Sequence, residues 1–570
     1  MKVSRKMLAI LFVCAFFAVA WGGGLANSLV YDDVTLLAEA RFGNYKELFH
    51  FFPTMFYNDR PMRAVFLKVL NSLFGLNYQI YHIIFILLHL LNVYLVYKMG
   101  VLLFGFGEKK SVVNKEYKAL CVAAIFGIYA PTLMAVSWIS AIADLLCCFF
   151  TVVSLIFYLK ARKDINNKYN GYFMVMSILF YYFSLRSKEM SLILPVLLLI
   201  FEICCMFWEN KSVRIDIYLI IHLLIMLFFT AMLFAGGSSE VLADNPYYQS
   251  FSPIILFRNA IRYLFIYFDW GNQGFIFNGY NGMALPGVIL FCIICIFALK
   301  LAIKEQKYTL LLSIIAVGVS LATVLPMVNM QHRLYLYIPS IFVGIMFANF
   351  VEEVSFLRRY IFSREGTVLF IFCIVLAYYT PGQIGYRQGW LQTCQQDREQ
   401  FKEVIKLEKP VEGSHIYVKG AEGEYNIYFY GPGNSIKLLF DEPSYDISLV
   451  NEFPDNPEIP YVLWEFENGI TKEVFRDSTQ PQDLVPNILS VYPSEIIKST
   501  ENEKIFIGVV PEHIFDELAV LIDGKEYPTT IGEQFISVAI SKEDLKDTIK
   551  VQLLNKENMT KSKSTTIMVK

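Results

Sequence analysis

The chain has 570 residues, 55% of them hydrophobic, with a mean hydropathy of +0.46. This excludes an ordinary soluble globular protein and indicates a polytopic α-helical membrane protein. The formal net charge of −2 offers no basic surface to a nucleic acid, and the basic residues are instead segregated between loops.

In chain order, apolar runs predict about eleven transmembrane helices, over 7–23, 78–104, 119–136, 138–159, 171–186, 190–207, 216–235, 284–301, 308–326, 335–351 and 367–380. Residues 1–28 have the make-up of a signal peptide, with Lys2, Arg5 and Lys6 ahead of an apolar run and small residues around Ala26. A retained first span is preferred, because the later spans need it to balance the topology. With the amino terminus cytoplasmic, every inner loop is basic, as at Lys109, Lys110, Lys115 and Lys118, at Lys300, Lys304 and Lys307, and at Arg358, Arg359 and Arg364. An odd number of spans then places the carboxy-terminal region outside the cell membrane.

The first outer loop begins with Tyr31-Asp32-Asp33 and ends with Asn58-Asp59-Arg60-Pro61-Met62-Arg63. Two adjacent carboxylates beside a bilayer suggest proton handling or cation binding, while the same residues also suit a solvated loop. Other outer features are a tight turn near Pro131, the turn Arg186-Ser187-Lys188-Glu189-Met190, a long loop from Gly236 to Gly282 and the turn at His332-Arg333. Within the long loop, Ile254 to Trp270 mixes Arg258 and Arg262 with aromatic and aliphatic residues and reads as an interfacial helix ended by Asp269-Trp270-Gly271-Asn272.

After Pro381 the composition becomes soluble. A polar helix is predicted over 386–407, then strands at His415–Lys419 and Tyr425–Tyr430 in a small β-rich domain. Runs at 488–493, 504–508, 519–524, 535–539 and 549–554 recur at sandwich-like spacing and resemble the IPT/TIG-type immunoglobulin-like modules. The expected domains are therefore 1–380 in the membrane, 381–482 outside it, and 483–570 as the immunoglobulin-like β-sandwich.

Ten cysteines give no disulfide framework, since all but Cys394 fall in apolar stretches, and Cys292 and Cys295 read as packing residues. His82 and His89 share a helical face with Asn92, a pattern for interhelical hydrogen bonds more than for metal. Asp144 lies inside a predicted span and should face the bundle interior, for acceptor positioning or structural pairing. Glu202 is expected at the interface near an inner helix end, and Arg186 and Lys188 also suit helix-end residues snorkelling to the surface.

Four ordered stretches resemble the bacterial relatives of the transmembrane O-mannosyltransferase family, within the GT-C glycosyltransferases. The first is Tyr31-Asp32-Asp33, followed by Arg60-Pro61, Phe74 to His82 and Leu88 to Asn92. The second is Ala135-Val-Ser-Trp138-Ile-Ser140 with Asp144. The third is Ser187-Lys188-Glu189-Met190 with Leu194-Pro195. The last is Leu325-Pro326, then Arg333 and Tyr335-Leu-Tyr337-Ile-Pro339-Ser340. The family's tetratricopeptide repeats are missing, and Ala-Ile-Ala precedes Asp144 where the family often has basic residues.

The resemblance implies a GT-C-like enzyme that moves a sugar from a polyprenyl-phosphate donor to an acceptor hydroxyl on the outer face, a protein or a cell-envelope glycan. The acceptor proton must go to a base, for which Asp33 or Asp32 is the candidate. The leaving phosphate needs fixed cations and donors, here Lys188, Arg333 and His332, with Arg60 and Arg63 behind them. Asp144, Glu189 and His82 are candidates for the acceptor side and the surrounding shell. No metal ligand set is evident beside Asp32 and Asp33, although a divalent ion is compatible with the pair. Two other functions fit intramembrane charges and surface β domains: a transporter or exporter of lipid-linked sugar or polysaccharide, and a non-catalytic surface scaffold.

Overall fold

The computed structural model describes residues 5–19, 29, 32–53, 60–106, 113–128, 135–163, 169–209, 216–235, 245, 248–269, 277, 279–421, 426–428, 433–454, 457, 460–478, 486–496, 504–514, 518–532, 534–556 and 559–570. Tyr31, Asn58, Asp59, the turn at Pro131 and Trp270 to Asn272 lie outside them. Two compact units divide the chain, Met1–Glu399 and Gln400–Lys570.

The first unit is helical: α1 (Arg5–Val19), α2 (Asp33–Phe42), α3 (Tyr45–Leu48), α4 (Pro61–Phe74), α5 (Tyr78–Leu103), α6 (Lys115–Ile128), α7 (Ile142–Lys163) and α8 (Asn170–Leu185), then α9 (Leu194–Glu209), α10 (Ile217–Ala235), α11 (Pro253–Phe268), α12 (Leu285–Lys304), α13 (Tyr308–Ser320), α14 (Pro339–Glu353), α15 (Ser355–Ile361) and α16 (Arg364–Ile405). Each of the eleven predicted spans contains a helix. Among the described residues, six helical stretches are long and apolar enough to cross a membrane: Tyr78–Leu103, Ile139–Lys163, Glu189–Phe207, Ile217–Ala235, Gly282–Lys304 and Arg333–Glu353. A seventh crossing exists if Ser355–Ile361 and Arg364–Ala377, bent by 85°, count as one. The protein is thus a helical membrane protein.

Small and hydroxylated residues let these helices approach closely. A Cβ on Gly127 of α6 would meet Val93 of α5 at 2.7 Å, so only glycine allows that approach. On the α7–α8 seam Thr151 and Ser184 are 2.6 Å apart, and the Ser154 hydroxyl donates to the Ser177 carbonyl at 2.7 Å. α1 buries Met7, Leu11, Ala15 and Ala18 on one face, against α5 and α6.

Two expectations about single elements change. The polar helix after Pro381 is not separate, because α16 runs unbroken from 364 to 405; a proline removes one helical hydrogen bond without forcing the chain out of the helix. Glu202 is buried within the bundle rather than solvated: it is 1% exposed and accepts hydrogen bonds from Tyr158 and Arg162 on α7, at 3.0 and 3.1 Å. A buried carboxylate needs such partners.

In the second unit β1 (His415–Lys419), α17 (Asn434–Phe440), β2 (Asp446–Val450), β3 (Tyr461–Glu467) and β4 (Ile470–Asp477) build a mixed sheet in the order β2-β1-β3-β4, with β1 parallel to both neighbours. Its core closes on the fully buried Trp464. The strand expected over 425–430 does not form at the described residues 426–428. The Asn426 amide donates to the Ala421 carbonyl, and its side-chain oxygen accepts from Tyr428 N at 2.9 Å. That local turn outcompetes a strand.

The remaining strands are β5 (Ile488–Tyr492), β6 (Glu495–Ile496), β7 (Lys504–Pro511), β8 (Leu518–Ile522), β9 (Lys525–Tyr527), β10 (Thr529–Ile531), β11 (Ile536–Ser541), β12 (Thr548–Asn555) and β13 (Thr565–Val569). They form two sheets, β10-β11-β7-β5 and β6-β13-β12-β8-β9, whose alternating inward residues share one core around Ile507, Val509, Val520, Val538 and Leu553.

Candidate active site at one end of the helix bundle

The turns before α4, α7 and α9 and the amino terminus of α2 meet at one end of the bundle. α2 opens with Asp32 at its N-cap and Asp33 in its first turn, where carboxylates suit the helix dipole. Its other end is held by Lys68 of α4, whose ammonium donates to the carbonyls of Ala40 at 3.1 Å and Gly43 at 2.5 Å. The helix start is thereby aimed at the segment Trp138 to Asp144.

There the two acids separate in environment. Asp33 is 1% exposed and accepts from the Ser140 amide at 2.7 Å and the Ser140 hydroxyl at 2.6 Å. Asp32 is exposed. Partial desolvation by the surrounding protein raises its carboxyl above the ordinary value, while Arg63 and then Arg60 pull it down.

One helical turn past Ser140, Asp144 takes both of its oxygens to the Lys188 ammonium, at 2.7 and 2.6 Å. Lys188 is buried and its ammonium lies 5.0 Å from the centre of the Tyr335 ring. The adjacent Glu189 receives a forked contact from Arg60, at 2.7 and 3.0 Å from Nη2 and 3.2 Å from Nε. The chain is tied here by its backbone too, since Met62 N donates to the Arg186 carbonyl at 3.2 Å.

Neither Arg186 nor Lys188 snorkels. Arg186 is 1% exposed and donates to the His50 carbonyl at 2.7 Å. Both side chains turn inward to acceptors from other segments, Arg186 to the His50 carbonyl and Lys188 to the Asp144 carboxylate. Arg63 belongs to the same cluster: its Nε is buried without a hydrogen-bond partner among the described residues. Burial, then the neighbouring Arg60, bring its pKa down to about 10, against Glu39, Glu189 and Asp32.

His332 stacks on Trp138 with ring centres 6.0 Å apart and accepts from Leu334 N at 3.1 Å. Burial, with Lys188 and Arg333 nearby, pushes its imidazole down to about 3, which favours the neutral ring. Arg333 is buried and directs Nη2 to the Asp269 carbonyl at 3.1 Å. The structure therefore brings together Asp32, Asp33, Asp144, Lys188, Glu189 and Arg60, and sets His332 beside them.

His82 lies apart from these contacts, buried next to Phe85 and the Val136 backbone. His89 makes the interhelical bonds, to the Tyr337 hydroxyl at 2.8 Å and the Gly127 carbonyl at 3.1 Å, and Asn92 donates to the Leu145 carbonyl at 3.0 Å. Among the described residues no group of three His, Cys, Asp or Glu is placed to hold a metal. Sequence reasoning did not single out Ser140 as a partner for Asp33, nor Tyr335 for Lys188. Their only signal was their place in the family-like segments.

No family model matches the chain, and no curated protein matches it. Among solved structures, the chain is similar to the crystal structure of ArnT from Cupriavidus metallidurans bound to undecaprenyl phosphate, at 13% identity and a TM-score of 0.40, over 79% of this chain and 86% of that one. The apo state of the same protein gives 12% identity and a TM-score of 0.42, over 78% and 85%. A TM-score below 0.5 does not establish a common fold.

Proposed function

We propose that the protein is an integral-membrane glycosyltransferase of the GT-C kind, which moves a sugar from a polyprenyl-phosphate donor to a hydroxyl acceptor on the outer face of the membrane. The observation that carries this reading is the meeting of an exposed Asp32 with Arg60 and Arg63 at one end of an apolar bundle, with Arg60 in turn neighbouring the buried Lys188. Transfer to a hydroxyl requires a base for its proton and positive charge for the departing lipid phosphate, and this cluster supplies both within one electrostatic neighbourhood.

In this reading Asp32 accepts the acceptor proton as its oxygen attacks the anomeric carbon and the bond to the phosphate breaks. Asp33 holds the start of α2 in place through Ser140. Arg63, with a buried Nε to offer, and Arg60 receive the phosphate, while Lys188 adds charge from beneath and is kept upright by Asp144. His332 and Trp138 form a neutral wall beside them. The acceptor is a protein or cell-envelope glycan hydroxyl, and the family-like segments support the assignment, the first three supplying residues to this cluster and the fourth setting Tyr335 against Lys188.

The test is to incubate the full chain, reconstituted in lipid, with a panel of radiolabelled polyprenyl-phosphate sugars. Time-dependent loss of label from one donor, absent in Asp32→Asn, supports a transferase. Absence of both consumption and binding for every donor would overturn it.

A further inference from the structure

A second concave site lies at the opposite end of the bundle. A cavity of about 310 Å³ opens between α5, α6, α7, α9, α13 and α14, at the lower end of the size range for small-molecule sites. Its depth is lined by apolar side chains such as Leu197, Phe201, Leu312 and Phe342, and its mouth by Lys118, Lys307, Glu352 and Glu353. From Phe342 to Glu353 the lining of α14 extends about 16 Å at 1.5 Å per residue, close to half of the roughly 30 Å hydrocarbon core. One leaflet's depth is the length of one lipid chain.

The mouth is built of matched charges. Lys118 pairs with Glu352 at 2.6 Å and Lys307 with Glu353 at 3.1 Å. Lys118 is 5% exposed and lies 4.3 Å from the centre of the Phe104 ring, so its ammonium is fixed at the cavity rather than free in solvent. An ammonium has three donors and a carboxylate about four acceptor sites, so one ion-pair contact does not by itself saturate either kind of group. A purely anionic head would meet the two glutamates, and a purely cationic one the two lysines. A head that carries both a phosphate and a primary ammonium matches the set.

We propose that this cavity is a binding site for a zwitterionic aminophospholipid of the phosphatidylethanolamine class. One acyl chain lies along α9, α13 and α14, the phosphate accepts from Lys118 and Lys307, and the ammonium donates to Glu352 and Glu353. The basic loops at this end place it in the inner leaflet, away from the proposed reaction, so this inference does not depend on the transferase reading.

The full chain is reconstituted in nanodiscs containing a phosphatidylethanolamine with a diazirine on its acyl chain, photolysed, and mapped by peptide mass spectrometry. The expected result is labelling concentrated on cavity-lining residues such as Leu312 and Phe342, and competed roughly fivefold better by unlabelled phosphatidylethanolamine than by phosphatidylcholine or phosphatidylglycerol. Ser313→Phe, which fills the cavity, should remove the labelling. Glu352→Gln with Glu353→Gln should leave the cavity open and shift the preference to phosphatidylglycerol. Equal labelling of the outward faces of α12 and the cavity, or equal competition by the three lipids, would overturn the proposal, provided the variants remain monodisperse.

Discussion

Ser140 gives Asp33 two hydrogen bonds, one from its amide at 2.7 Å and one from its hydroxyl at 2.6 Å, and so ties the start of α2 to the start of α7. A carboxylate satisfied in this way is poorly placed to take a substrate proton, whereas its neighbour Asp32 faces solvent. The first prediction is that Ser140→Ala lowers stability by about 1.5–3 kcal/mol, the worth of a hydrogen bond to a charged group. Thermal unfolding of the purified chain measures this, and an unchanged midpoint would contradict it.

The buried pair of Lys188 and Asp144 should show strong non-additivity. Lys188→Met leaves a carboxylate buried without its cation and should cost about 3–5 kcal/mol. Adding Asp144→Leu should recover most of that loss, since an apolar pair of similar volume tolerates the site. Sugar transfer should not return in the double variant if, as proposed, the ammonium serves the phosphate. Recovery of both would assign the pair a purely structural role.

The acid limb of the pH profile should belong to Asp32. Its carboxyl is raised by burial and lowered by Arg63 and Arg60, and it must be ionised to act as base, so kcat/KM rises with pH through its pKa. Removing a positive neighbour in Arg63→Gln makes ionisation harder, and the limb should move to higher pH. A limb that stays in place or moves to lower pH would break the assignment.

In the second unit, Asn426→Ala should remove the side-chain bonds to the Ala421 carbonyl and from the Tyr428 amide. The expected cost is about 1–3 kcal/mol, read as faster hydrogen exchange in β1 and α17 of the full chain. Unaltered exchange would show that the turn is held by other contacts.

The helical, apolar character of the first unit was legible because hydropathy responds to length and composition alone, but of the eleven expected spans only six stretches among the described residues, or seven with the bent pair, are long and apolar enough to cross a membrane. The sandwich strands were legible from period-two alternation, as in β7 and β11. The continuation of α16 past Pro381 was not, since one proline reads as a stop in sequence and acts as a single lost hydrogen bond in a helix. The candidate site was partly legible. Asp144 could be expected to face inward because lipid penalises its charge, but its partner Lys188 is 44 positions away, and nothing local distinguishes a snorkelling lysine from a buried one. The different surroundings of Asp32 and Asp33 depend on Ser140, 107 positions from Asp33, and two adjacent aspartates look alike until the fold separates them.

The most direct measurement compares wild type, Asp32→Asn and Asp33→Asn in lipid, following both donor binding and sugar release from the identified polyprenyl-phosphate donor. The account predicts that Asp32→Asn binds donor normally and loses turnover by about 100-fold or more, while Asp33→Asn retains measurable turnover and loses stability. Full turnover in Asp32→Asn, with loss confined to Asp33→Asn, would contradict it.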